Sequence, residues 1–450
     1  MEKSLNIAVV GSGISGLSSA WLLSKQHKVT VFEKDDRFGG HSNTVNVADV
    51  RGSVPVDTGF IVFNPATYPN LVEFFKLLAV PTKPADMSFA FSVANGSFEY
   101  AGKGLAGMFA QKRNLFRPRF WRMLADIRRF YREAEHWQAT LSPDITLGEL
   151  LKQGQYSAVF RDEHLLPMGA AIWSTPMAEM LEYPAVTFLR FCSNHGLLQL
   201  KNRPQWQTVD GGSRVYVNKV INEIKKNGHA FLNCGVKQIR RCAGGKVAIL
   251  DWHGKERLFD HVVLASHPDQ SLKLLADASQ AEQQILSAFT YERNKAILHS
   301  DVSLMPLRKK IWSSWNYLSD KNEASEQKLS VSYWLNRLQS LNTEQPMIVT
   351  LNPKSDPDKD KIHASYLYDH PVFDTRAIMA QEKLWSIQGE MNTWFCGAWL
   401  GYGFHEDGLQ SGLVIAEALG DLKRPWQVEN PNGRIAAPPK NSKYHNKVAA

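Results

Sequence analysis

One stretch near the start of the chain constrains it most: "LNIAVVGSGISGLSSAWLLSKQHKVTVFEKDDRFGG". Ile7 to Val10 is a short apolar run, the pattern of a buried strand. Gly11, Gly13 and Gly16 follow at once as G-x-G-x-x-G. Leu17, Ala20 and Leu23 recur at helical spacing over Ile14 to Ser24, and Lys28 to Glu33 reads as a second strand that ends in an acid. Each part has a physical task. Gly11 allows a tight turn, Gly13 lets the backbone approach a pyrophosphate, and Gly16 lets helix and strand pack closely. The helix start at Ile14 and Ser15 offers free N–H groups and partial positive charge to phosphates. Glu33, about 20 residues beyond Gly11, is placed to accept hydrogen bonds from ribose hydroxyls. The combination predicts a dinucleotide site.

The rest of the chain must complete that site. At 450 residues it exceeds one compact core, so two or three intertwined domains are expected. Hydrophobic content of 44% and charged content of 21% are those of a globular protein with apolar surface to spare for a large cofactor. The formal net charge of +8 favours anionic partners. Cys192, Cys234, Cys242 and Cys396 are scattered without a CxxC, which argues against a disulfide framework or a zinc site and for a reducing compartment. No metal ligands stand out. Only "MEKSLN" precedes the first apolar run, which leaves no room for a signal peptide. No apolar stretch approaches the roughly 20 residues that span a bilayer. The expectation is a cytoplasmic protein, peripheral at the inner membrane surface at most.

The continuation "EKDDRFGGH" separates flavin from nicotinamide binding. Glu33, Arg37, Gly39 and Gly40 resemble the E-x-x-x-R-x-G-G extension of the flavin amine oxidase superfamily, which includes phytoene desaturases and protoporphyrinogen oxidases. The resemblance implies that Arg37 and the glycine pair, with neighbours Lys34 and His41, lie along the pyrophosphate of a non-covalent FAD. "PVDTGFIVFN" supplies Asp57 and Gly59, similar to the D-x-G segment of the same family. "QTVDGGSRVYVNKV" resembles the family's return to the cofactor domain. Val236 in "CGVKQIRR" stands where the family holds the adenine. Ala265 and His267 stand at the strand-to-loop crossover beside FAD. The late stretch "FCGAWLGYGFHEDGLQSG" is similar to the family's closing element. It implies a strand over Trp394 to Gly397 and a helix over Leu409 to Leu419, with Gly397, Phe404, Asp407, Gly408 and Leu409 at the flavin. Asp407 reads equally as a plain helix cap.

Most of the chain also resembles a narrower bacterial group of FAD-binding proteins, through "YERNKAILHSD", "WSSWNY", "VSYWLNRLQSL", "VTLNP" and "YDHPVFD". Members of that group are associated with cyclopropane fatty acid synthases. The resemblance implies work on acyl chains of membrane lipids, and a lipid methyltransferase as a partner. It implies an α/β fold: a Rossmann-like FAD-binding domain of the glutathione-reductase/amine-oxidase type, with an inserted substrate domain of mixed sheet and helices (α+β). The expected FAD-binding domain is discontinuous, over 1–62, 205–275 and 385–425. The substrate domain fills 63–204 and 276–384. The Pro-, Asn- and Lys-rich tail, 430–450, is expected to be mobile.

The implied activity is an FAD-dependent oxidoreductase moving a hydride between a hydrophobic substrate and flavin N5. Amine oxidation is the alternative enzyme reading, and a non-redox flavin-binding accessory subunit the alternative of another class. Catalytic residues are not singled out by the sequence. The candidates are Lys295, where amine oxidases carry a lysine near N5, His299, which shares a strand face with Asp301, and Tyr368 with His370. For Lys295 a surface position, and for His299 a structural hydrogen bond, is the plainer reading. Covalent flavin attachment is not expected, because the window Gln345 to Pro371, where the monoamine oxidase pattern has its cysteine, has none, and Cys396 lies in the strand before the closing turn.

Two further signals stand outside this scheme. "AGKGLAG" repeats G-x-G-x-x-G at Gly102, Gly104 and Gly107, but no strand ending in an acid follows, so it reads as a loop. Gln111 to Arg132 holds eight Lys or Arg and one Asp, with Phe116, Phe120, Leu124, Ile127 and Tyr131 at helical spacing. That segment fits a basic amphipathic helix lying on an anionic membrane, or a helix packed on the substrate domain with a solvated basic back. No recognition module accompanies the charge, so nucleic acid is not an expected partner.

Overall fold

The computed structural model describes residues 4–448 apart from 94–95, 103, 143, 174–176, 195, 200–203, 320–329 and 443. Five strands form a parallel sheet in the order Gly228–Phe231, Lys28–Phe32, Asn6–Val10, His261–Leu264 and Thr393–Phe395. Ile7 pairs with Val29 on one side and His261 on the other, and Val10 with Phe32 and Leu264. The opening strand is apolar throughout because both faces are covered. Ile7 and Val9 join one core with the first helix, Ile14–Leu23, while Ala8 and Val10 join another with Phe32, Val236 and Ile249. Every residue of that first helix is buried. An antiparallel layer of Val236–Arg241, Val247–Asp251 and Glu256–Phe259 covers the other face.

The second unit is a seven-stranded sheet in the order Ile362–Val372, Thr290–His299, Ile348–Leu351, Ser330–Trp334, Trp315–Ser319, Phe89–Val93 and Phe98–Ala101. All neighbours are antiparallel except Trp315–Ser319 with Phe89–Val93, so the sheet is mixed. Helices Pro118–Thr140, Leu166–Trp173 and Ala185–Asn194 share its apolar core. The fold is therefore the expected α/β arrangement with a mixed-sheet, helical second unit.

Three local expectations change. The closing helix runs His405–Gly420, one turn earlier than Leu409, because Asp407 caps it by accepting from Phe404 N–H at 2.7 Å. The "AGKGLAG" segment is not wholly loop: a short helix, Gly104–Met108, follows the strand Phe98–Ala101. The tail is docked rather than mobile over its described residues. Arg434 is buried against Asp407, Ala436 accepts from Trp385 Nε1 at 2.8 Å, and the Tyr444 ring stands 5.1 Å from Trp394.

Candidate cofactor and active site

The carboxyl ends of four parallel strands deliver Gly11, Glu33, Ala265 and Cys396 to one edge of the sheet. This edge is where open α/β sheets bind ligands. Gly16 is obligatory there, because a Cβ would sit 2.0 Å from the Gly11 carbonyl oxygen. A Cβ on Gly13 would meet nothing within 4 Å. Gly13 is also the N-cap of the first helix and has no side-chain cap. An uncapped helix start facing open space suits an anion.

The extension from Glu33 folds back over this start. Arg37 Nη1 donates to Gly40 O at 2.8 Å, and Gly39 N–H to Ser12 O at 3.1 Å. Gly39 and Gly40 have φ of +115° and +56°, the left-handed region that favours glycine. Gly59 lies against the same turn, where a Cβ would stand 2.1 Å from His41 O. Glu33 accepts from Ser12 N–H at 3.0 Å, Ser12 Oγ–H at 2.5 Å and Asp35 N–H at 3.0 Å. A carboxylate offers about four acceptor sites, so it braces the glycine turn and keeps one for a ribose hydroxyl. Val236 lies close to it, since Cys234 N–H donates to Glu33 O at 2.8 Å.

The closing helix meets the first helix across the same groove. A Cβ on Gly412 would lie 2.2 Å from both Ser15 O and Ser18 Oγ, and one on Gly408 would lie 2.7 Å from Ile14 Cγ2. Ser18 Oγ donates to Leu409 O at 3.4 Å. Gly397 N–H donates to Ser411 Oγ at 3.0 Å. The early and late glycine motifs are thus held together by direct backbone approach.

A cluster of rings lines the second-unit side. His41 stands 5.0 Å from Tyr368 and 5.6 Å from His370, centroid to centroid. His267 stacks on Tyr291 at 4.1 Å. His405 stacks on Phe60 at 3.6 Å and is pinned by Tyr216 Oη at 2.8 Å and Ser42 Oγ at 3.0 Å. Tyr368 Oη is held by Asn43 and Thr58, and His370 Nδ1 by Asn294. Among the described residues, His41 Nε2 is buried with no protein partner. Burial, reinforced by the neighbouring imidazoles, lowers His41 to about 3 and His370 to about 4, so both are neutral at pH 7. An open cradle at Gly13, an uncapped helix start and an unpartnered buried nitrogen at His41 fit a bound dinucleotide. Gly11, Gly13 to Gly16, Glu33, Arg37, Gly39 to His41 and the start of the closing helix would hold it.

The histidines carry a prediction. The unfolded chain protonates them near 6.5, the folded one only near 4 and below. Between those values the unfolded state binds more protons, so stability falls as pH falls. The urea midpoint of flavin-free protein is expected to drop from pH 7 to pH 5. The double variant His41→Gln/His370→Gln is expected to flatten that slope by about two bound protons at most. An unchanged slope would show that neither ring is held neutral.

Several sequence candidates belong elsewhere. Lys295 is a surface residue paired with Asp356 at 2.7 Å. His299 is a buried structural residue, bonded to Thr350 Oγ1 at 2.8 Å and accepting Asp301 N–H at 3.1 Å. Lys34 points to solvent beside Asp35. Asp57 faces the protein rather than a ligand. It accepts from Ser213 N–H and Oγ, Thr44 Oγ1 and Gln339 Nε2, tying the hairpin to the helix Arg214–Lys225. Asp407 is spent on Arg434, at 2.6 Å. Cys396 is buried, with its thiol pushed up by burial. Glu406, which its place in the His-Glu-Asp triplet assigns to cofactor placement, instead accepts from Asn70 and Leu71 N–H and so caps the helix Pro69–Leu77.

Fold and groove fit a dinucleotide-binding protein, and the comparisons give the family. The family model of the flavin-containing amine oxidoreductases matches residues 14–337, and the chain belongs to that family. The cofactor of that family is FAD. A Mycobacterium tuberculosis protein named as a flavin-containing monoamine oxidase, AofH, is 28% identical over 275 residues. That match spans 59% of this chain and 57% of the relative's own length. Among solved structures, the CLA-producing fatty acid isomerase from P. acnes superposes with a TM-score of 0.66 at 16% identity, covering 92% of this chain and 98% of that one. Cyclohexylamine oxidase from Brevibacterium oxydans gives 0.63 at 15% identity, covering 93% and 100%. These two likenesses establish a shared fold.

Proposed function

We propose that the enzyme oxidises a hydrophobic substrate, an unsaturated or methylated acyl chain of a membrane lipid, in a desaturase-like reaction. When bound, FAD supplies the two-electron acceptor for a hydride leaving a C–H bond. A neighbouring carbon releases a proton to solvent, and a C=C bond forms. The chain's part is to orient the substrate and hold it away from water.

The observation that carries this reading is that the rings beside the groove are uncharged, while the two charges within reach of them, Arg37 and Asp369, are committed to Gly40 O and to Arg293. His41 and His370 are neutral, Tyr368 is hydrogen-bonded to Asn43 and Thr58, and burial lowers His405 as well. Beyond the closing-helix start, Phe404 stacks on Phe191 at 4.8 Å, and Phe191 lies 4.6 Å from Trp173. The carboxylates nearest the helix start, Glu406 and Asp407, are committed to protein partners. Such a surface favours an apolar chain over an ammonium group.

The second reading is amine oxidation, favoured by the family match and the likeness to AofH. An anaerobic visible spectrum of the holoenzyme decides between them. Bleaching on addition of phospholipid, with an acyl chain two mass units lighter, is the expected result. Bleaching by a primary amine but not by lipid would replace this reading with amine oxidation. Bands that yield only to dithionite would favour an accessory role beside a lipid methyltransferase.

A further inference from the structure

The basic segment does not lie on its surroundings as a whole helix. The apolar stripe of Pro118–Thr140 faces the core: Phe120, Met123, Ile127, Phe130 and Ala134 are buried. The helix-on-membrane expectation is therefore wrong for that stripe. The turn before it is different. Phe116 is 86% exposed, Leu105 75% and Trp121 50%. Lys112, Arg113, Arg119 and Arg122 are exposed among them.

A second turn, distant in sequence, joins this one. Leu307 is 72% exposed, and Lys309 and Lys310 follow it on the surface. Both turns are tied to the same hairpin end. The Gly96 carbonyl accepts from Gln111 Nε2 at 3.1 Å and from Arg308 Nη1 at 3.0 Å. Buried Glu99 accepts from Leu307 N–H at 3.0 Å and Arg308 Nη1 at 2.6 Å, while its own carbonyl accepts from Asn114 Nδ2 at 3.1 Å. The acids nearby are occupied, Glu99 by Arg308, Glu163 by Arg119 and Asp126 by Arg129. Among the described residues, Lys112, Arg113, Arg122 and Lys310 have no carboxylate partner. The result is a pair of rigid apolar tips ringed by unpaired cations. Isolated exposed side chains are ordinary, but apolar tips rimmed by one sign of charge mark an interaction surface.

We propose that this surface, Leu105, Phe116, Trp121 and Leu307 with Lys112, Arg113, Arg122 and Lys310, docks the enzyme on an anionic lipid bilayer. The apolar tips enter the interface between headgroups and acyl chains, and the cations meet lipid phosphates. A protein partner would need a matching acidic pocket, whereas a bilayer accepts tips of any outline. The inference rests on the surface alone and stands whatever the substrate is.

The test is flotation of the FAD-loaded enzyme with vesicles of phosphatidylcholine alone or mixed with phosphatidylglycerol. Binding to the mixed vesicles, weakened by salt, is expected. Lys112→Ala/Arg113→Ala/Lys310→Ala is expected to lower the partition coefficient about 100-fold, at roughly fivefold per cation. Phe116→Ser/Leu307→Ser is expected to lower it independently. Flavin absorbance and thermal midpoint of both variants serve as the folding control, since all five side chains are exposed. Equal partition into both vesicle types, or unchanged partition in both variants, would overturn the proposal. So would a concentration-dependent dimer abolished by Phe116→Ser/Leu307→Ser, which would assign the surface to a second copy of the chain.

Discussion

Gly16→Ala is expected to yield a chain without flavin and with a sharply lowered unfolding midpoint, whereas Gly13→Ala loses flavin alone. The two glycines are three residues apart, and their surroundings differ in kind. A methyl on Gly16 would lie 2.0 Å from Gly11 O and 3.0 Å from Ala265 Cβ. The first contact is backbone and cannot rotate away. The first helix is buried on every side, so it cannot retreat without displacing the closing helix. Overpacking of this kind costs about 1–3 kcal/mol or more. Gly13, by contrast, has φ −64° and ψ 176°, which alanine adopts freely, and no atom lies within 4 Å of its added methyl. Its flavin-free stability should stay within about 0.5 kcal/mol of the parent. Its FAD affinity should fall at least about tenfold, or roughly 1.4 kcal/mol, because the methyl occupies the groove. Urea unfolding of flavin-free protein and FAD titration measure the two effects separately. If Gly13→Ala destabilises the flavin-free chain as much as Gly16→Ala, the cradle serves the fold and not the cofactor.

The tail carries the second large effect. Arg434→Met is expected to destabilise the protein by about 3–5 kcal/mol, the usual loss when one partner of a buried ion pair is removed. Arg434 meets Asp407 at 2.6 Å and donates to Thr67 O at 2.8 Å, with both partners of the pair buried. Burial pushes Asp407 up to about 6, against the pull of Arg434 and the Phe404 N–H, so it is ionised at neutral pH. Without the guanidinium, that carboxylate is left buried and uncompensated. The deficit should then shrink as pH falls from 7 toward 5. Over that range the folded variant takes up a proton at Asp407 that the unfolded chain binds only near pH 4. Asp407→Asn/Arg434→Met should recover part of the loss. Chemical denaturation at both pH values checks this. A single variant as stable as the parent would show that the tail is ornamental to the site.

The chemistry of the cofactor edge was legible early because its signals are local. A strand, a glycine turn, a helix and an acid at fixed spacing are set by short-range geometry, and the structure repeats them within a residue or so at each end. The closing glycine motif was legible for the same reason, although the start of its helix was not. That start depends on Asp407 reaching back to Phe404 N–H. The role of Asp57 was hidden because its partners come from far away: it stands in a segment similar to the family's D-x-G, yet Ser213 and Gln339 arrive from 156 and 282 positions along the chain.

Thus the spacing of neighbours by itself determined the dinucleotide edge and the amphipathic period of the basic segment, while the flavin and the mixed second unit came from the family resemblance alone. Only the tertiary structure decided that the basic helix turns its stripe inward and that Leu307 joins Phe116 at one surface. It likewise decided that a Pro- and Lys-rich tail seats Arg434 on the closing helix. Those outcomes depend on which distant segment fills each buried valence, and local periodicity carries no information about that.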